Sequence, residues 1–189
     1  MHSVPLAHTQ APHLVLVGPM GAGKSSIGKR LAERLGLPFV DADRALEERT
    51  GASIAQIFDC EGEAGFRQRE SRLLAELLAS PRQLIATGGG VVLSAENRAQ
   101  LAAHAFVVHL DVDVAGQLHR LRYCRSRPLL QRPDREQVLT QMALTRTPLY
   151  AQVAHLHFDT EGHSPEEAVQ LLLAVLQPHG FTPDEYRDR

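Results

Sequence analysis

Between Leu14 and Leu31 the chain reads Leu-Val-Leu-Val-Gly-Pro-Met-Gly-Ala-Gly-Lys-Ser-Ser-Ile-Gly-Lys-Arg-Leu, an apolar run, a glycine-punctuated break and an amphipathic stretch. Gly18, Gly23, Lys24 and Ser25 meet the spacing G-x-x-x-x-G-K-[ST] of a phosphate-binding loop. Gly18, Gly21 and Gly23 let the backbone turn its N–H groups inward where a side chain would collide with a phosphate. Lys24 supplies a cation, and Ser25, early on the following helix, offers a hydroxyl to Mg²⁺. The positive end of that helix points at the same anion. Chance alone supplies the pattern in roughly one chain in a hundred of this length, and the strand before it and helix after it make coincidence rarer still.

Downstream, Ile27, Leu31 and Leu35 recur with helical spacing and Gly36 closes the helix. Residues 38–41 read as a second buried strand, and a helix with acids in its first turn covers 43–49, so Asp41 and Asp43 sit at a strand's carboxyl end. Ser53-x-x-Gln56 resembles a capping box for a short helical turn ending near Cys60. Gly62 interrupts, and over 63–78 the positions Phe66, Leu73, Leu74, Leu77 and Leu78 mark a long amphipathic helix, with Arg67, Arg69, Glu70 and Arg72 mostly on other faces. A strand over 84–87 is cut off by Gly88, Gly89 and Gly90, where the chain forgoes every side chain and something fits close.

A helix over 95–103, a strand over 106–110 ending at Asp111 and a helix over 113–123 follow. Arg120, Arg122, Arg125, Arg127, Arg132 and Arg135 then crowd around Pro128 and Pro133, a composition that predicts a mobile cationic loop. Helix returns over 136–151, with Pro148 expected to kink or end it. The last strand spans 154–158, and Ser164 with Pro165 at the first helical position opens a helix to about Gln177.

Five strands alternating with helices, without a hairpin signal, predict an α/β fold: a five-stranded parallel sheet with helices on both faces. Ligands of such a sheet gather at the carboxyl edge, where Gly18, Asp41, Asp43 and the three glycines all fall. Residues 13–177 are expected to form one domain, preceded by a flexible extension, 1–12, and followed by a polar, frayed tail, 178–189. Twenty basic residues dispersed among twenty-two acidic ones leave no tract to follow a nucleic acid. Cys60 and Cys124 lie far apart outside any C-x-x-C pattern, which argues against a structural disulfide and for the cytoplasm. No export signal or run of eighteen apolar residues is visible, so no membrane partner is expected.

A phosphate loop needs a metal partner, usually an Asp ending a neighbouring strand. Asp41 is the first choice and Asp111 the second, the latter more readily read as a helix cap. Asp43, two residues beyond Asp41, would face the same side of an extended strand and could accept a proton from an attacking hydroxyl, unless it merely caps its helix. Arg67 and Arg146 are candidate forks for a carboxylate or phosphate. Arg127 and Arg120, carried on the cationic loop and at its entry, could neutralise charge in a phosphoryl-transfer transition state. His155 and His157 share a face of the last strand, but without a third ligand they are read as ordinary strand residues.

With these residues laid out, the chain resembles the shikimate kinase family from about His13 to Gln177. The motifs that carry the likeness are Gly18-Pro-Met-Gly-Ala-Gly-Lys-Ser25, Asp41-Ala-Asp43, Gly62-Glu-x-x-Phe66-Arg67, Gly88-Gly-Gly90, Arg127-Pro-Leu-Leu130 and Arg146-Thr-Pro-Leu-Tyr150. The resemblance implies a P-loop fold of nucleoside-monophosphate-kinase type, with a substrate-binding subdomain (about 41–70) and a lid (about 120–135). It implies transfer of the γ-phosphoryl of ATP to the 3-hydroxyl of shikimate, on the route to chorismate and aromatic amino acids. By the same resemblance Asp43 meets the reacting hydroxyl, Arg67 and Arg146 clamp the shikimate carboxylate, and Gly88, Gly89 and Gly90 approach the ring. Gly21, Ala22, Gly23, Lys24, Ser25, Ser26 and Arg127 would hold ATP phosphates, Arg120 and Pro165 would flank the adenine, and Ser25 with Asp41, through water, would serve Mg²⁺. Ser26 stands where the family usually carries threonine. A monomer is expected. The competing readings are a kinase of the same fold acting on another hydroxylated acid such as gluconate, and an inactive shikimate-binding homologue.

Overall fold

The structure, a computed structural model, describes residues 12–122 and 134–183. The elements are β1 His13–Val17, α1 Lys24–Leu35, β2 Phe39–Asp41, α2 Ala42–Thr50, α3 Ile54–Leu78, β3 Leu84–Ala86, a 3₁₀ turn Val91–Leu93, α4 Ala95–His104, β4 Ala105–Asp111, α5 Val114–Arg120, α6 Arg135–Val153, β5 Leu156–Asp159, α7 Pro165–Leu176 and a 3₁₀ turn Gln177–His179. The five strands form one parallel sheet in the order β2-β3-β1-β4-β5. β1 is therefore central, and the chain leaves it for one side of the sheet before crossing to the other.

Alternation along β1 sets the two core layers, because successive side chains of a strand face opposite ways. Leu14 and Leu16 join Phe106, Val108 and Leu110 of β4 beneath α1 and α7. Val15 and Val17 join Ile85 and Val107 beneath α3, α4 and α6. Leu14, Val15, Leu16 and Val17 are each 0% exposed, as a central parallel strand covered on both faces requires. β2, expected to be buried, is half-buried along its length because it is the sheet's edge.

The caps form as their sequences ask. Ser53 with Gln56 and Ser164 with Glu167 make reciprocal capping boxes, and Gly36 ends α1 in the left-handed conformation. α3 carries a break at Gly62 (φ 69°, ψ −175°), so the short turn and long helix read from sequence stack end to end across one non-helical residue. Pro148 was expected to kink or end its helix, yet α6 runs through it to Val153. Tyr150 and Val153, one turn further on, are 1% and 5% exposed, and their packing against the sheet holds the helix across the missing N–H.

The expected fraying after 178 is overturned for the described part of that segment. Phe181 is 1% exposed, its ring 5.4 Å from Phe106 and beneath the Arg82 guanidinium at 4.7 Å. Arg82 Nε also donates to Pro12 O at 3.2 Å, so one side chain ties both ends of the domain to the amino edge of the sheet. An aromatic ring and a turn Gly180 in the left-handed region (φ 83°) were the overlooked signals in a stretch read as polar. The extension 1–12 lies outside the described residues except for Pro12, as do most of the lid, including Arg127, and the tail from 184. Among the described residues no helix is long and apolar enough to cross a membrane. Phe181→Ala should destabilise the fold by about 3–4 kcal/mol, read as a lowered urea midpoint with unchanged slope.

Candidate active site

The carboxyl edge of β1 opens directly into the glycine loop. A Cβ at Gly18 (φ +141°) would stand 2.0 Å from the carbonyl oxygen of Leu110, so the loop can lie against the end of β4 only with glycine there. α1 starts with Gly23 as its cap and with no side chain capping its first N–H groups. Its opening N–H groups are thus left to an anionic ligand, with the helix dipole behind them. Lys24 folds back over the loop, its Nζ donating to Gly18 O and Pro19 O, both at 2.8 Å. Ser26 Oγ donates to Gly23 O at 3.1 Å.

This loop forms one wall of a cavity of ≈ 290 Å³ whose other lining residues include Asp41, Asp43, Thr87, Gly89 and Arg120. Ser25 Oγ donates to Asp41 Oδ2, and Asp41 Oδ1 caps α2 by accepting from Arg44 N at 3.2 Å. A hydroxyl and a carboxylate held together beside a phosphate loop are hard oxygen donors of the kind Mg²⁺ takes, so the residues fit such an ion. Asp43 shares the cavity for a reason other than the one read from sequence. It lies in the first turn of α2 rather than on an extended strand, and the helix turn brings it round to Gly88.

Asp111, the second choice for the metal, lines a separate cavity of ≈ 250 Å³ with Met20, Leu139, Met142 and Arg146. Its Oδ1 accepts from Val112 N at 2.9 Å and its Oδ2 pairs with His157 Nε2 at 3.1 Å. It does not cap the next helix either; Asp113 does, accepting from Gly116 N at 2.6 Å. The two histidines of the last strand also part company. His155 precedes β5, accepts from Val107 N at 3.1 Å and stacks on Phe106, whereas His157 turns to His109 and Asp111. Among the described residues no three or more His, Cys, Asp or Glu could hold a metal ion together.

The three glycines after β3 form a floor on which four charged side chains converge. A Cβ at Gly88 would meet Asp43 Oδ1 at 2.7 Å and Glu70 Oε1 at 2.9 Å. At Gly90 it would meet Arg67 Nη1 at 2.2 Å, so the guanidinium occupies the space glycine leaves. At Gly89 it would lie 3.6 Å from Arg146 Nη1 and 3.5 Å from the Tyr150 hydroxyl. Asp43, Arg67, Arg146 and Gly88, Gly89 and Gly90 are therefore brought together, next to the cavity that holds Lys24.

Glu70, which the sequence reading left on an outer face, belongs here. Its Oε2 accepts from Arg67 Nη1 at 2.7 Å, while its buried Oε1 has no hydrogen-bond partner among the described residues. Burial pushes its carboxyl above the ordinary range; Arg67 pulls it down and neighbouring Asp43 adds to the rise. Its position three residues after Arg67 was the available signal, since such pairs are neighbours on a helix. Tyr150 is the second overlooked residue: its hydroxyl donates to Gly89 O, and burial pushes the phenol up to about 12 against the pull of Arg146.

At the other end of the cavity Arg120 Nη1 donates to Gly21 O at 3.0 Å, and Pro165 stands exposed at the start of α7. Beneath the loop lies His109, paired in register with Val17, 1% exposed and without a hydrogen bond at either ring nitrogen among the described residues. Burial lowers its pKa to about 4, with Asp111 acting in the opposite sense and His157 and Lys24 reinforcing the fall.

A phosphate loop with its own lysine, set in the carboxyl edge of a parallel 2-3-1-4-5 sheet and facing a small polar recess, defines a P-loop kinase of small molecules. Comparison with known proteins narrows the class. A sequence model of the shikimate kinase family matches residues 20–177, and the chain belongs to that family. It is 58% identical over 166 residues to the shikimate kinase of Xanthomonas oryzae pv. oryzae (strain PXO99A), covering 88% of this chain and 92% of that one. With the shikimate kinase of Stenotrophomonas maltophilia (strain R551-3) the identity is 52% over the same coverage. Its fold matches the shikimate kinase from Acinetobacter baumannii, solved in complex with shikimate, with a TM-score of 0.86 and 41% identity over 92% of this chain and 97% of that one.

The buried imidazole of His109 makes a pH prediction. A histidine whose folded pKa is lowered takes up protons more readily when unfolded, so its stabilising contribution is complete above the ordinary value near 6.5 and is lost as pH falls toward about 4. His109→Phe should flatten the fall in unfolding free energy across that window, measured by urea titrations at several pH values.

Proposed function

We propose that this chain transfers the γ-phosphoryl group of ATP to the 3-hydroxyl of shikimate, giving shikimate 3-phosphate and ADP on the route to chorismate. The observation that carries the reading is the meeting of Asp43, Arg67, Arg146 and the three glycines beside the cavity that holds Lys24. A cyclic acid gripped by its carboxylate there presents a hydroxyl toward the phosphate loop. The two arginines suit a planar carboxylate because each guanidinium is a rigid fork of donors. Glu70 fixes Arg67, and Tyr150 braces the Gly89 peptide on which the ring would rest.

In the reaction the substrate oxygen forms a bond to the γ-phosphorus as the bridging oxygen between the β- and γ-phosphorus departs with its electron pair in ADP. The hydroxyl proton passes to a carboxylate oxygen of Asp43. Lys24 and the α1 N-terminus hold the phosphate oxygens and balance the charge that spreads over them. Mg²⁺, held by Ser25 and through water by Asp41, would neutralise part of the polyphosphate charge. By resemblance Arg127, outside the described residues like most of the lid over 120–135, would add a further cation, and residues 41–70 would form the substrate subdomain. Gly21, Ala22, Gly23 and Ser26 complete the phosphate cradle, and Arg120 with Pro165 flanks the adenine. Action as a monomer in the cytoplasm is part of the same proposal, the setting because Cys60 and Cys124 lie far apart in sequence outside any C-x-x-C pattern.

A coupled assay tests the reading. ADP should be released only when ATP, Mg²⁺ and shikimate are all present; turnover of gluconate or a nucleoside monophosphate in place of shikimate would overturn it. Calorimetry showing shikimate bound without turnover would instead favour an inactive homologue. Asp43→Asn should lower kcat about a hundredfold or more while shikimate affinity changes little, because the charge matters chiefly as the proton leaves. Arg146→Ala should weaken shikimate binding roughly tenfold to a hundredfold, the cost of losing one charge-assisted fork, with the smaller change in kcat. Equal and mild effects from both substitutions would argue against this substrate site.

A further inference from the structure

Arg120 is an exposed side chain that is nevertheless held at three points. Its Nη1 donates to Gly21 O at 3.0 Å and to Thr160 Oγ1 at 2.8 Å, and its Nη2 donates to Thr160 O at 2.6 Å. Two of the three acceptors belong to Thr160, which is 1% exposed in the connection between β5 and α7. The hydroxyl of Thr160 has one proton to give, and it lies 2.8 Å from Asp111 O. Donation to that carbonyl leaves its lone pairs for Arg120. The Thr160 N–H donates to the same carbonyl at 3.0 Å, so backbone and side chain together fix the residue to the end of β4.

A guanidinium bonded along its edges keeps its flat face open, and a surface arginine left to itself would lose much rotamer freedom on taking up one orientation. We propose that Thr160 is a positioning residue for the nucleotide: it locks the plane of Arg120 beforehand, so that the base of ATP meets a fixed platform instead of a mobile side chain. The same chain segment runs on to Pro165, the other residue assigned to the base. Gly21 O, the third tether, belongs to the phosphate loop, so the platform is set relative to the phosphates. The inference rests on the reading of Arg120 as a wall of the adenine slot.

Steady-state kinetics with T160V, T160S and R120A, each checked for a cooperative melt, test it. T160V should raise KM for ATP roughly fivefold to tenfold while kcat and KM for shikimate stay within about twofold, and T160S, which keeps the hydroxyl, should restore the wild-type value. R120A should raise KM for ATP at least as much, and T160V combined with R120A should do no further harm, because one acts through the other. If R120A raises KM for ATP and T160V does not, the positioning role is wrong while the adenine slot stands. If R120A leaves it unchanged, the slot reading fails and the inference fails with it. A T160V effect spread equally over kcat and both KM values would mark a merely structural residue and also overturn it. Should valine at 160 fail to melt cooperatively, R120K decides the matter: an ammonium keeps the charge but cannot span the three acceptors, so it should reproduce the rise in KM for ATP, and an unchanged value overturns the proposal.

Discussion

The contact on which the site depends is between backbone and backbone: the phosphate loop leaves β1 so close to the end of β4 that a methyl group at Gly18 would stand 2.0 Å from the Leu110 carbonyl. That approach lets Lys24 fold back over the loop, puts the N-terminus of α1 where an anion can meet it, and seats His109 directly below. A central strand buried on both faces makes the arrangement stiff, because neither core layer can shift without opening the other. The position of β3 between β1 and β2 then brings two further strand ends, and with them Asp41 and the three glycines, alongside the loop.

The recess opposite the loop is built against the preference of a protein interior. Glu70 is a largely buried carboxylate with one oxygen unpaired among the described residues, raised in pKa by its surroundings, and close to a second carboxylate, Asp43. Such a group costs stability, and the core beneath α3 supplies the offset through Phe66, Leu73, Leu74 and Leu77. What the strain secures is orientation. Arg67 lies flat over Gly90, braced by Glu70, so its fork is set before any ligand arrives. Tyr150 on α6 does the same for the Gly89 peptide, which explains why a helix with a proline in it is carried through to that residue and beyond.

Much of this could be read in the chain. The glycine spacing, the Asp41-Ala-Asp43 pair and the glycine triplet are local patterns, and each landed at the sheet edge where parallel strands put their carboxyl ends. The Ser53–Gln56 capping box formed as written, and the Ser164 cap formed with a reciprocal bond from Glu167 that had not been read. Glu70 escaped notice because a carboxylate among arginines on an amphipathic helix looks like a solvated face, and only the floor of glycines buries it. Thr160 and His109 escaped because nothing in their own neighbourhoods marks them; Thr160 meets Arg120 and Asp111, and His109 meets Gly18, across long stretches of chain. Phe181 was lost in a stretch judged by its polar average, although a single ring can close a core.

The sequence by itself determined the alternation of strand and helix, the phosphate loop and the residue types available for phosphoryl transfer, since these depend on periodicity and on backbone freedom at a few glycines. Only the tertiary structure decided which charges meet. Strand order, the turn of α2 that brings Asp43 to Gly88, and the burial of Glu70 and Thr160 are consequences of packing between distant segments, and pairing energies of that kind leave no trace in local spacing.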